Sequence, residues 1–314
     1  MIELRDNQLV LRFPEVHQDA VCRIEFQRTL RIPDDNREYR LPPGLGRFTL
    51  HHVDDYASGV PQTWLVHGGV FLPMYQAEAM WINFSGRYPF AIKVAAGKIN
   101  AVTGDRWTDG LTADPQDYLV RPEQPWLDGF CVAKGQIRQF VAMRLGEGYT
   151  AEEQLAGEAR HGGVQIVAYP MKAQVYEERL RAPEEAVVYE ECPSAPTPSE
   201  IGLAPGGLMR QEIYEDPYGI DAWDPSVRAR CFVHIVSSLA YLAITKTEPP
   251  IRPPTAREYT EAGLPWFDYY GADLVALKGA KQLAGLDSVA AKGIKQGQTP
   301  LPENDPVKAE HVTV

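Results

Sequence analysis

Cysteine is scarce and scattered in this chain of 314 residues: Cys22, Cys131, Cys192 and Cys231 show no CxxC or zinc-finger spacing. That excludes a disulfide scaffold and a thiolate zinc module, and it points to a reducing, cytoplasmic compartment. Long apolar runs are also missing. Nothing approaches the roughly 18 apolar residues of a membrane span, and the opening MIELRDNQ lacks the apolar segment of a secretory signal. The expectation is a soluble protein with no membrane span. Positive charge is short as well, with 31 Lys and Arg against 42 Asp and Glu and a net charge of −11. Such a balance argues against a nucleic-acid partner. The acid excess lies mostly between Glu177 and Asp224, where only Arg179, Arg181 and Arg210 oppose it, so it marks a connecting segment. The phosphate-binding P-loop, the G-x-S-x-G elbow and the H-E-x-x-H zinc helix are absent.

What is present is strand-forming sequence. Leu9 to Phe13 alternate, and then Ala20, Cys22, Ile24, Phe26, Leu30 and Ile32 hold the even positions against polar neighbours. Period-two alternation predicts antiparallel strands with one packed and one wet face. WLVHGGVFLPMY, AMWINF and FAIKVAAGKINAV follow as closely spaced strand candidates, with aromatic residues frequent among them. Ile137–Met143 and Val164–Tyr169 read as strands around a short helix begun by the capping box Thr150-Ala151-Glu152-Glu153 and closed by Gly157. The expected fold class is mainly β, an antiparallel sandwich-like core with a smaller helical C-terminal region, α+β overall.

Four parts are expected. Residues 1–180 form the β-rich core, 181–223 an acidic connector rich in Pro and Gly, 224–297 a helical region packing on the core, and 298–314 a flexible tail. Within the third part, Asp224 and Pro225 read as the start of a helix with a stripe of Val227, Cys231, Ile235, Leu239 and Leu242. A second capping box, Thr255-Ala256-Arg257-Glu258, precedes the aromatic stretch LPWFDYY.

The densest set of metal-competent side chains is His51, His52, Asp54 and Asp55. On a strand His51 and His52 point to opposite faces, so further ligands are expected from elsewhere, with His67 and His161 the nearest by type. HGGV occurs at His67–Val70 and again at His161–Val164, a pattern that fits a duplicated β unit or two glycine turns. Gly146-Glu147-Gly148-Tyr149-Thr150-Ala151 matches a dinucleotide-binding motif, but no acidic residue ends the next strand, and a hairpin-like connection is expected instead. Cys131 reads as a buried core thiol. Trp266, Phe267, Tyr269 and Tyr270 are candidate contacts for a ligand or partner.

QPWLDGFCV, GQIRQFVAM, LGEGYTAEEQ, GLPWFDYY and PLPEN together resemble a family of β-rich proteins of bacteria and some fungi. The resemblance implies no activity and no site residues. The function expected from the residues is therefore a non-catalytic binding or assembly protein with a protein partner or a second copy of itself. The alternative is a hydrolase or lyase dependent on a divalent metal (Zn, Fe or Mn) centred on His51–Asp55.

Overall fold

The computed structural model describes residues 1–158, 160–180, 201–248, 252–264, 266–267 and 274–299. In chain order the strands are β1 (Ile2–Arg5), β2 (Gln8–Arg12), β3 (Val21–Thr29), β4 (Glu38–Tyr39), β5 (Gly44–Arg47), β6 (His51–His52), β7 (Val70–Pro73), β8 (Ala79–Ser85) and β9 (Phe90–Ala96). They continue as β10 (Ile99–Asn100), β11 (Leu119–Arg121), β12 (Trp126–Leu127), β13 (Gly129–Ala133), β14 (Gln136–Arg144), β15 (Val164–Pro170), β16 (Ile201–Arg210) and β17 (Ala229–Val236). The helices are short: α1 (Gln62–His67), α2 (Ala151–Ala156), α3 (Ala173–Arg179), α4 (Ser238–Thr245), α5 (Ala256–Glu261), α6 (Lys281–Ala284) and α7 (Val289–Lys295). Among the described residues no helix is long and apolar enough to cross a membrane.

The fold is mainly antiparallel β-sheet, with most helices late in the chain. One ladder runs β1–β2–β3–β8–β14–β16, every neighbour antiparallel. A second runs β7–β17–β15–β9–β11, antiparallel except where β7 lies parallel to β17. Ile201 of β16 pairs with Ile235 of β17 and joins the two. A single large apolar cluster draws on both ladders. The even-numbered stripe of β3 is its clearest contributor: Ala20, Cys22, Ile24, Phe26, Leu30 and Ile32 are all 0% exposed.

The opposite face of β3, expected to be wet, is covered instead. Glu25, Gln27 and Thr29 are buried there, Arg28 is buried on the even-numbered face, and the charges are matched locally. Arg28 meets Glu78 at 2.6 Å and Arg47 meets Glu25 at 3.3 Å, as buried charges require.

Two segments depart from their sequence reading. The helix expected from Asp224 is a strand over Ala229–Val236. The stripe Val227, Cys231, Ile235 has a spacing of four, which is a multiple of two and fits both periods. The buried Ala229, Cys231, Val233 and Ile235 alternate with the more exposed Arg228, Arg230 and Phe232, which is the strand period, and His234 on that second face is covered by Trp64. Leu239 and Leu242 then fall in the separate helix α4. The second departure lies in the expected connector. Its residues 181–200 lie outside the described residues, but Ile201–Arg210 form β16, paired with β14 from Arg144↔Ile201 to Gln136↔Arg210. Pro205 and the two glycines after it disguise this strand. The register shifts between Arg138 and Phe140, opposite Pro205, and that irregularity accommodates the missing amide. Trp64 also lies on α1 and not on a strand.

Candidate metal centre at the two HGGV turns

The two HGGV words end on the same residue. Val70 at the start of β7 pairs with Val233 from one side, and Val164 at the start of β15 pairs with Val233 from the other. β7 is parallel to β17 and β15 antiparallel, so the two copies sit differently against it, yet their histidines meet with ring centroids 5.6 Å apart. The glycines permit this approach. A Cβ on Gly69 (φ +89°) would stand 2.1 Å from the Phe232 carbonyl oxygen, and one on Gly163 (φ +59°) 2.4 Å from that of Val233. Only glycine tolerates such contact with a neighbouring backbone.

His67 lies over Phe232 at 4.7 Å. Behind it the buried His234 stacks on Trp64 at 4.4 Å and 14°, with Nε2 3.0 Å from the Gly68 carbonyl oxygen. Burial brings His234 down to about 4, so its ring is neutral at neutral pH and Nε2–H donates to Gly68.

The acidic side of the site comes from α2. Thr150 caps this helix through the expected capping box. The Glu153 carboxylate also accepts from the Gly146 and Gly148 amides, each at 2.8 Å. The glycine-rich turn therefore wraps a carboxylate of its own chain, and the strands on either side, β14 and β15, pair with other strands and not with each other. The residue between cap and box, Glu152, turns inward and is 1% exposed. One of its carboxylate oxygens accepts from the His161 and Gly162 amides at 3.2 and 3.1 Å, while Oε1 is buried without a hydrogen-bond partner. After the left-handed Gly157 cap the chain returns Glu158 and His161 to the same spot.

One donor atom from each of Glu152, Glu158 and His161 lies within 4.8 Å of the others, and no other three such residues gather so closely among the described residues. Burial raises the Glu152 carboxyl above its ordinary value, and burial followed by the Lys98 charge lowers His161. Lys98 and Arg106 each approach Glu158 at 3.5 Å, and Lys98 is the main reason its carboxyl sits below the usual range. Two carboxylates and one imidazole form a donor set suited to Zn, Mn or Fe. Bonds of about 2.0–2.2 Å require the donors to close up, a movement open to Glu158 and His161, which are only half-buried.

The residues singled out by sequence lie elsewhere. His51 stacks on Phe71 at 5.1 Å, and its nitrogens face Tyr241 Oη at 2.9 Å and Tyr56 Oη at 3.4 Å. His52 is exposed, and Asp54 and Asp55 are exposed on a 3-10 turn; no three of the four gather within metal-ligand distance. Trp266 is 0% exposed against Tyr39 and Tyr259, and Phe267 bridges to Leu41. Tyr269 and Tyr270 lie outside the described residues. Cys131 is a core thiol, which burial pushes up to about 12. His161 and His67 were legible as donors by type; Glu152 was not, since nothing in a helix's first turn tells an inward glutamate from an outward one, and Glu158 was not, since it meets Glu152 only through the turn that follows Gly157. Comparison of the chain with protein-family models, with curated proteins and with solved structures found no match.

Proposed function

We propose that the chain binds a first-row divalent cation between Glu152, Glu158 and His161 and uses it for metal-assisted hydrolysis or elimination. The observation that carries this reading is the buried Glu152 carboxylate, whose Oε1 has no hydrogen-bond partner and which belongs to a set of three donors within 4.8 Å of one another. A buried carboxylate left half-satisfied is costly unless a cation or proton completes it. Three protein ligands leave a coordination position for water, whose pKa a bound metal lowers toward neutrality. His67, whose ring lies 5.6 Å from that of His161, would be the neighbouring imidazole able to accept a proton from that water. A bound cation would compete with Lys98 and Arg106 for Glu158.

Metal analysis of the purified chain, followed by calorimetric titration of the chelator-treated protein with Zn²⁺ and Mn²⁺, tests the reading. One equivalent is expected to bind. Glu152→Gln, which keeps the shape, should weaken binding at least about 100-fold, more than the ~10–100-fold of an outer-shell change. Lys98→Ala should tighten it, and His51→Ala should leave it unchanged. Equal affinity in wild type and Glu152→Gln would remove the centre and return the chain to the reading of a non-catalytic binding or assembly protein.

A further inference from the structure

The outer face of β17 continues from the histidine pair into a second arrangement that the cation centre does not use. Phe232, under His67, carries the Arg230 guanidinium at 4.5 Å, and the same guanidinium lies 5.3 Å from the Trp107 ring. Gln165 Oε1 accepts from Arg230 Nη2 at 2.7 Å. Arg230 is thus held between two rings and fixed in orientation by a third group, although its side chain is 37% exposed. Two positions along the same face stands Arg228, which donates to Tyr169 Oη at 3.3 Å.

Asp109 shows what these arginines face. Its carboxylate lies 3.3 Å from Arg228 Nη2 and 3.7 Å from Arg230 Nη1, with 60% of the side chain exposed. These separations are longer than the about 2.7–2.9 Å of a tight charged hydrogen bond, and an exposed pair of this kind is weak. A loose, solvent-facing carboxylate across the held Arg230 and the more exposed Arg228 marks where an external anion would sit. In a chain of net charge −11, two adjacent arginines with one displaceable partner concentrate positive charge on this face.

We infer that Arg228 and Arg230 bind a carboxylate or phosphate group of the ligand, with Asp109 as the resident carboxylate that the ligand displaces. Phe232 and His67 connect this position to His161, so the anionic group and the cation centre address two ends of one substrate. That link rests on the function proposed above, whereas the anion site stands on the arginines themselves. Planar guanidinium groups suit both carboxylate and phosphate geometry, and a ring carried by the ligand would find Trp107 and Phe232 beside it.

The test is calorimetric titration of the full, chelator-treated chain with phenylphosphonate and with benzoate. Saturable binding of at least one is expected, and the stronger names the group. Arg230→Gln should raise the dissociation constant about tenfold or more, the loss of one charge-assisted contact. Asp109→Asn should lower it several-fold. Because Asp109 is largely exposed, this second variant tests the site even if Arg230→Gln disturbs folding. No saturable binding of either probe, or unchanged affinity in Asp109→Asn, overturns the anion site. Repeating the titration with Zn²⁺ present separates the two readings. Metal-free phosphonate binding in a protein that takes up no Zn²⁺ upholds the anion site and removes the cation centre. Zn²⁺ uptake without binding of either probe does the reverse.

Discussion

Individual side chains in this molecule are set by what surrounds them more than by their type. Asp128 is 3% exposed and exchanges hydrogen bonds with Gln211, its amide donating to Oε1 at 3.0 Å and Oδ2 accepting from Nε2 at 2.8 Å. Burial raises its carboxyl to about 7 from an ordinary 3.8. Below the ordinary value both folded and unfolded chains hold the proton. Between 3.8 and 7 the unfolded chain releases it while the folded chain keeps it, so stability falls as pH rises through that window. The loss reaches up to about 4 kcal/mol above the upper limit. Urea midpoints taken at pH 5 and pH 8 should differ less in Asp128→Asn than in wild type. Some slope should remain, since Glu123 is also raised to about 7 by burial. An Asp128→Asn protein with the wild-type slope would mean that the carboxyl ionises freely in the fold. The buried His234 acts in the opposite direction, because a ring lowered to about 4 contributes stability that is lost as pH falls from 6.5 through that value.

At the scale of elements, β17 governs the candidate site, since both HGGV turns close on its backbone. Gly163→Ala forces a Cβ to within 2.4 Å of the Val233 carbonyl oxygen, whereas one at Gly157, also left-handed, meets nothing within 4 Å. The Gly157 change should cost only the about 1–2 kcal/mol of a left-handed residue with a side chain. Gly163→Ala should cost clearly more and separate His67 from His161, a difference readable by chemical denaturation and by imidazole resonances. Equal costs would show that β15 and β17 can part without penalty. The sequence carried much of this architecture. The even-numbered stripe along β3, both capping boxes and the span of β15 were all legible, because each is a local signal of period or cap. β17 was not, because its stripe satisfied two periods at once. β16 was not, because Pro205 and its glycines have the composition of a linker and only pairing with β14 makes them a strand. His51, His52, Asp54 and Asp55 do not gather into a set of three donors, for a similar reason. Adjacent histidines on a strand diverge, while His67 and His161, far apart in sequence, converge through a strand read as helix.

For the molecule as a whole, pairing across the 181–200 segment decides how the chain holds together. β14 pairs with β16 and β15 with β17, and the apolar cluster includes Leu203, Val233 and Ile235 together with Phe26 and Phe140. A protease site inserted between residues 181 and 200, once cut, should therefore leave two fragments that elute together until denaturant is added. Unfolding of the uncut chain should be one cooperative transition by both circular dichroism and tryptophan fluorescence. Fragments that separate in buffer, each still folded, would instead restore a core and a C-terminal region as independent units. The place of β17 late in the chain also sets a timetable. A nascent chain that has not yet reached Ala229 already contains His67 and His161 but lacks the strand against which both valines pair. The two imidazoles come together only after the ribosome has made most of the protein, which delays assembly of the histidine pair until the surrounding sheet can enclose it.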